Sequence, residues 1–169
     1  MKILILGHNG MLGHVVFKYY KNFDFDIETI EDKFPTREFC DKIINSNCDY
    51  AINCIGCIPQ KTTSCSSMML ANFFLPVFLS HNFKGNVIHA TTDCEFSGRS
   101  NTLYSKDALK DAYDVYGKSK ILASDYLLKS KNCHVIRTSI IGFELDGKRS
   151  LLEWFLNNKS KKINGFSDH

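Results

Sequence analysis

The sequence predicts an α/β fold, a doubly wound parallel sheet with helices on both faces. Three observations lead there. Short apolar runs such as Lys2-Ile3-Leu4-Ile5-Leu6 recur along the chain and stop at Gly or at polar residues, as strands buried on both faces do. Segments with apolar residues at helical spacing lie between them, so strand and helix alternate. Gly7-His8-Asn9-Gly10-Met11-Leu12-Gly13 joins the first strand to the first helix as G-x-x-G-x-x-G. The 169 residues, 44% of them hydrophobic, suffice for one globular domain with a core.

The elements follow in order. Residues 2–7 are a buried strand closed by Gly7, and residues 11–20 carry a helical apolar spacing. Residues 25–30 read as the second strand. Thr36 is an N-cap for a helix reaching residue 44. Residues 50–56 form a strand closed by Gly56, and residues 68–81 a long apolar helix bent near Pro76. Residues 86–92 are a strand. Residues 97–114 are polar and loop-like, and residues 115–128 are helical. Residues 134–141 make the last strand, closed by Gly142, and a final helix starts at residue 151. Between residues 24 and 50 there is one strand and one helix, where a full nucleotide-binding half often holds another strand. The expected division is a coenzyme-binding domain over 1–142 and, over 143–169, the start of a substrate region that is largely missing. The closing Ser167-Asp168-His169 looks like the opening of that region.

Composition narrows the class. A net charge of +3 with scattered lysines offers no nucleic-acid groove. No apolar run approaches the roughly 20 residues that span a bilayer. Residues 1–6 are followed at once by glycine and polar residues, unlike a signal peptide. The expectation is a soluble cytoplasmic protein. Of the seven cysteines, Cys54 and Cys57 form a C-x-x-C, but no second Cys or His pair at zinc spacing accompanies them. A redox C-x-x-C opens a helix, whereas this one closes a strand. No metal is expected.

Chemistry concentrates in three places. Tyr116 and Lys120 lie four residues apart at a helix start, on one face. A free phenol keeps its proton to about pH 10, and a neighbouring cation lowers that value, suiting Tyr to proton transfer near neutral pH. Thr91-Thr92-Asp93 ends the preceding strand, at the sheet edge where doubly wound folds bind ligands. The glycine turn permits close approach of a pyrophosphate, which would sit on the N–H groups near Gly10, Met11 and Leu12, with Asn9 lining the turn and Gly13 packing helix on strand. After the second strand, Glu31 or Asp32 is placed for an adenosine ribose, which leans toward NADH. Lys33 and Arg37 are near enough to meet a 2′-phosphate, so NADPH stays open. Gly117-Lys118-Ser119 is no phosphate-binding P-loop, because Ala112 stands where that motif needs Gly.

Together these residues resemble the extended short-chain dehydrogenase/reductases, and within them the dTDP-4-dehydrorhamnose reductase-like enzymes. The resemblance rests on the Gly7–Gly13 turn, Asn53-Cys54-Ile55-Gly56, Thr91-Thr92-Asp93-Cys94-Glu95-Phe96-Ser97-Gly98 and Tyr116-Gly117-Lys118-Ser119-Lys120. Arg137-Thr138-Ser139-Ile140-Ile141-Gly142 and Ser150-Leu151-Leu152-Glu153-Trp154-Phe155 look like the branch that reduces UDP-2-acetamido-2,6-dideoxy-hexuloses. It implies a Rossmann-like domain that uses NADPH or NADH to reduce the 4-keto group of a UDP- or dTDP-linked sugar, with room for a homodimer. Tyr116 would protonate the alkoxide. Lys120 would hold the nicotinamide ribose and lower the Tyr pKa. Thr92 would orient the carbonyl, beside Asp93. Asn53, Cys54, Ile55 and Gly56 would line the dinucleotide, with Ala90 and Ser139 near the nicotinamide. Family members continue beyond this chain's length, and Tyr104-Ser105-Lys106 replaces an acidic residue of the substrate-side loop. An epimerase or dehydratase of the same superfamily, or a coenzyme-binding fragment without turnover, are the alternatives. Dehydratases carry an acidic pair after the strand-end Thr, and here Asp93 is followed by Cys94.

Overall fold

The computed structural model describes residues 1–100, 103–148 and 150–164. The closing residues 165–169 lie outside it, and with them the reading of Ser167-Asp168-His169 as the start of a further region. Five strands form one all-parallel sheet: β1 (Lys2–Leu6), β2 (Asp26–Ile30), β3 (Tyr50–Asn53), β4 (Asn86–Thr91) and β5 (Cys133–Arg137). Their order across the sheet is β2-β1-β3-β4-β5, a Rossmann-like α/β arrangement. The helices are α1 (Met11–Tyr20), α2 (Arg37–Ile44), α3 (Cys65–Met69), α4 (Leu75–Asn82), α5 (Val115–Leu127) and α6 (Leu151–Asn157).

The strand order sets the layers. The step from β1 to β2 runs one way along the sheet, and every later step runs the other. Right-handed crossovers therefore put α1 on one face and α2, α4 and α5 on the opposite one. Phe39 and Ile43 of α2 and Leu75 and Leu79 of α4 bury completely against Leu4, Leu6, Ala51 and Val87. The winding reverses between β1 and β3, so their carboxyl ends open the crevice where such sheets bind ligands. With a single strand outside β1, the half expected to be short is short.

Three boundaries differ most from the sequence-based expectation. β3 stops at Asn53, because the Asn53 side chain turns the chain there by accepting from the Ile55 N–H at 3.1 Å. Cys54, Ile55 and Gly56 are thus loop. β5 stops at Arg137, which leaves residues 138–142 outside the sheet. The long helix begins earlier than expected, at Cys65, where Ser64 caps it by accepting from the Ser67 N–H. The break expected near Pro76 is a π-helical turn over Leu70–Phe74, immediately before the proline. Pro76 lacks an N–H and its ring crowds the carbonyl four residues back; the wider turn relieves both. No helix among the described residues is long and apolar enough to cross a membrane.

Candidate active site

The glycine turn is built as a cradle. Gly7 sits at φ +76°, in the left-handed region, and its carbonyl accepts from the Gly10 N–H at 2.8 Å. A Cβ on Gly13 would lie 2.0 Å from the Gly7 oxygen, so only glycine lets α1 pack this close to the end of β1. No side chain caps the α1 N-terminus, which leaves the first-turn N–H groups near Met11 and Leu12 facing an anion's position. Beside the turn opens a cavity of 360 Å³ lined by Gly7, His8, Asn9, Glu31, Asp32 and Ile55, among others. A larger one, 560 Å³, lies at the amino ends of the strands among Asn45, Asp49 and Lys84, remote from every residue singled out by the sequence.

The acidic candidates part company here. Glu31 is exposed and reaches back to the turn, accepting from His8 Nε2 at 2.8 Å and Asn9 Nδ2 at 3.2 Å. Asp32 instead pairs with Lys42 of α2, whose ammonium holds its carboxyl below the usual range.

Across the crevice, the residues singled out around β4 and α5 converge. Thr92 follows β4 and is buried; its hydroxyl donates to Asp93 Oδ1 at 3.1 Å and stands near enough to the Tyr116 phenol to act on its pKa. Asp93 accepts from Ser139 Oγ at 2.6 Å, tying the loop after β5 to this turn. Asp114 caps α5 by accepting from the Gly117 N–H at 2.9 Å. Gly117 is required by packing: a Cβ there would lie 2.5 Å from the Cys94 oxygen and 2.4 Å from the Ala112 Cβ. One turn on, Lys120 is buried and donates to the Ala90 carbonyl at 3.3 Å. Its ammonium lies 3.5 Å from where a Gly56 Cβ would stand.

The electrostatics correct one expectation. Burial raises the Tyr116 pKa; the nearby Thr92 side chain pulls it down, and Cys94, Asp93 and Asp114 add to the rise. The Lys120 ammonium, expected to lower it, donates to the Ala90 carbonyl at 3.3 Å. Lys120 itself is lowered by burial to about 8, with Glu95 pulling the other way. At neutral pH the phenol therefore holds its proton firmly.

Three buried polar positions beside the site escaped the sequence reading. Asn72, in the π-helical turn, is fully buried. It donates to the Cys57 carbonyl at 2.8 Å and to Ser119 Oγ at 3.1 Å, and accepts from the Cys57 N–H at 2.8 Å. It thereby fixes the loop after β3 against α5. His89 is buried beside Asn53, whose Nδ2 donates to its Nδ1 at 3.1 Å; its Nε2 has no partner, and burial, with Lys120 nearby, lowers its pKa to about 3. Glu95 is the third. An odd break in a helical pattern flagged the first region; nothing in the sequence marked the other two, since burial of a single polar side chain has no period.

Cys54 and Cys57 keep their thiols protonated, burial pushing Cys54 up to about 12 and raising Cys57. All seven cysteines are free, and the described residues contain no group of three metal-binding side chains.

Neither a family model nor a curated relative matches this sequence. Solved structures do. A dTDP-4-dehydrorhamnose reductase from Clostridium acetobutylicum superposes with a TM-score of 0.81 at 18% identity, over 95% of this chain and 60% of that one. The Bacillus anthracis dTDP-4-dehydrorhamnose reductase in complex with NADP gives 0.79 at 15% identity, with the same coverages. The Bordetella bronchiseptica enzyme WbmG in complex with NAD gives 0.78 at 15% identity, over 95% and 59%. The fold is thus that of dTDP-4-dehydrorhamnose reductases and related enzymes, and this chain spans about 60% of their length.

Proposed function

We propose that the chain is the coenzyme-binding and catalytic part of a reductase acting on the 4-keto group of a nucleotide-linked 6-deoxy hexulose. A UDP-linked 2-acetamido sugar on the way to a deoxysugar polysaccharide is the form we favour, with dTDP as the other nucleotide. The observation that carries this reading is the convergence of the buried Thr92 hydroxyl and the Tyr116 phenol, with the Lys120 ammonium beside Gly56 and Ala90. A carbonyl oxygen between the Thr92 hydroxyl and the phenol would meet one donor that orients it and one acid that protonates it.

NADPH or NADH would supply the hydride. The turn residues fit such a coenzyme: the uncapped α1 start would hold the pyrophosphate, with Gly10, Met11 and Leu12 nearest it, and Gly7 and Gly13 keep that approach open. Glu31 or Asp32 would meet the adenosine ribose, and Asn53, Cys54, Ile55, Gly56, Ala90 and Ser139 would line the rest. Lys120, with its pKa at about 8, is mostly charged at pH 7 and would bind ribose hydroxyls. Tyr116, kept protonated by its burial, would give its proton to the forming alkoxide. Asp93, held by Ser139, would sit at the substrate edge.

The test is absorbance at 340 nm with NADPH or NADH and a UDP-4-keto-6-deoxy-N-acetylhexosamine made in situ. This chain and a form carrying a C-terminal substrate region are to be compared. Loss of absorbance is expected, and Tyr116→Phe should lower the rate by about 10²- to 10⁴-fold. A Tyr116→Phe rate equal to that of the wild type sinks the reading. Epimerases share this fold, among them the Campylobacter jejuni UDP-Glc/GlcNAc 4-epimerase, at a TM-score of 0.71 and 13% identity. NAD retained through purification and regenerated at each turnover would favour that alternative, and coenzyme binding without any turnover would favour a non-catalytic role.

A further inference from the structure

Glu95 is the most completely buried acid in the described chain, with no exposed surface, and the reading above gives it no task. It follows the Thr92–Asp93 turn directly. Its Oε1 accepts from Thr91 Oγ1 at 2.7 Å. Its Oε2 accepts from Arg137 Nε at 3.0 Å and Arg137 Nη2 at 2.8 Å, and Lys110 Nζ lies 3.6 Å away. Its backbone carbonyl accepts from the N–H groups of Asp111 and Ala112, both at 3.2 Å.

Each contact fastens a different element to the same turn. Thr91 ends β4 and Arg137 ends β5. Lys110 comes from the loop over residues 97–114 and reaches α5 through Ser124 Oγ at 2.7 Å and Asp125 Oδ1 at 2.6 Å. Arg137 also donates to the Lys106 carbonyl at 3.2 Å and lies 4.7 Å over the Phe96 ring, which stacks on Tyr104. Ala112, bound to the Glu95 carbonyl, is the residue wedged against Gly117. The carboxylate thus sits where the loop, two strand ends and the α5 start meet; the Glu95 N–H donates to the Thr92 carbonyl at 3.4 Å, and Ala112 links it to the α5 start that carries Tyr116.

We propose that Glu95 is a positioning residue: its buried carboxylate, clamped by Arg137, Lys110 and Thr91, holds the turn that carries Thr92 in place beside Tyr116 and ties Lys110 to the ends of β4 and β5. The geometry stands by itself; only its catalytic consequence rests on the reading of Tyr116 as the acid. Glu95→Gln keeps the shape and removes the charge. Arg137 and Lys110 then face each other half-buried with one counter-charge fewer, and the turn carrying Thr92 loses its anchor.

The readout needs neither coenzyme nor sugar. With ¹³Cζ-labelled tyrosine, the Tyr116 resonance is the one missing from Tyr116→Phe, and Thr92→Val marks where it moves when the neighbouring hydroxyl is deleted. Glu95→Gln should move it the same way, while Tyr19, Tyr20, Tyr50 and Tyr126 hold their positions. An unmoved Tyr116 resonance in folded Glu95→Gln, with only the melting temperature lowered, overturns the proposal. If Glu95→Gln does not fold, Thr91→Val deletes the 2.7 Å donor and leaves every charge in place; movement of the Tyr116 resonance supports the clamp and no movement overturns it. In the 340 nm assay, Glu95→Gln should lower kcat by about 10- to 100-fold with coenzyme KM unchanged. A wild-type protein that binds no coenzyme would sink the reductase reading and leave the tyrosine readout intact.

Discussion

Lys120→Met should stabilise the fold while removing function. Lys120 is 5% exposed, and burial lowers its pKa from 10.5 to about 8 even with Glu95 opposing. At 1.36 kcal/mol per factor of ten, holding that charge in the folded protein costs about 3 kcal/mol at pH 7. Below pH 8 both folded and unfolded chains carry the proton, and the folded state bears the whole cost. Between pH 8 and pH 10.5 the unfolded chain binds more protons, so wild-type stability rises with pH across that window. By pH 10 the cost has shrunk to about 1 kcal/mol. Met fills a similar volume with no charge and no such slope. Urea unfolding followed by circular dichroism reads this directly. With a slope of about 2 kcal/mol per molar urea, the variant's midpoint should exceed the wild type's by about 1.5 M at pH 7 and by about 0.5 M at pH 10. A gap that stays constant between the two pH values, or favours the wild type at pH 7, refutes the reasoning.

His89 works in the opposite pH range: neutral in the fold with its pKa lowered to about 3, it lets the unfolded chain bind the extra proton below about pH 6.5. Wild-type melting temperature should fall as pH drops from 6.5 toward 4, and His89→Gln should flatten that fall; parallel curves would mean the ring is not buried neutral. Gly13→Ala places a Cβ 2.0 Å from the Gly7 oxygen, backbone against backbone. Thermal melts should show a loss of about 1–3 kcal/mol or more, and NADH titration a lost site. Glu31→Gln should weaken NADH binding by about tenfold, since a charged acceptor on a ribose diol contributes roughly 1.5–3 kcal/mol. Asp32→Asn should change it less than Glu31→Gln does, because Lys42 already occupies that carboxylate; fluorescence titration ranks the two.

What the sequence carried and what it did not divide along a physical line. Strands buried on two faces are largely apolar, so β1, β3 and β4 announce themselves, and a helix cap such as Thr36 acts within three residues and is equally local. Tyr116 and Lys120 share a helix face by geometry alone, so their placement side by side needed no tertiary information. Their electrostatics did. The sequence suggested a lysine that lowers the phenol's pKa, yet the phenol is raised by burial and the ammonium points at Ala90. Orientation and desolvation depend on what packs from distant elements. The same holds for Asn72, His89 and Glu95, whose partners lie at separations from 4 to 47 residues. A buried polar residue is tolerable only when distant groups satisfy it, so the information that licenses Glu95 is spread over Thr91, Lys110 and Arg137 and appears in no single stretch. It follows that Tyr116, the proposed acid, is legible locally, while the proposed clamp on the turn that carries Thr92 is a property of the assembled sheet.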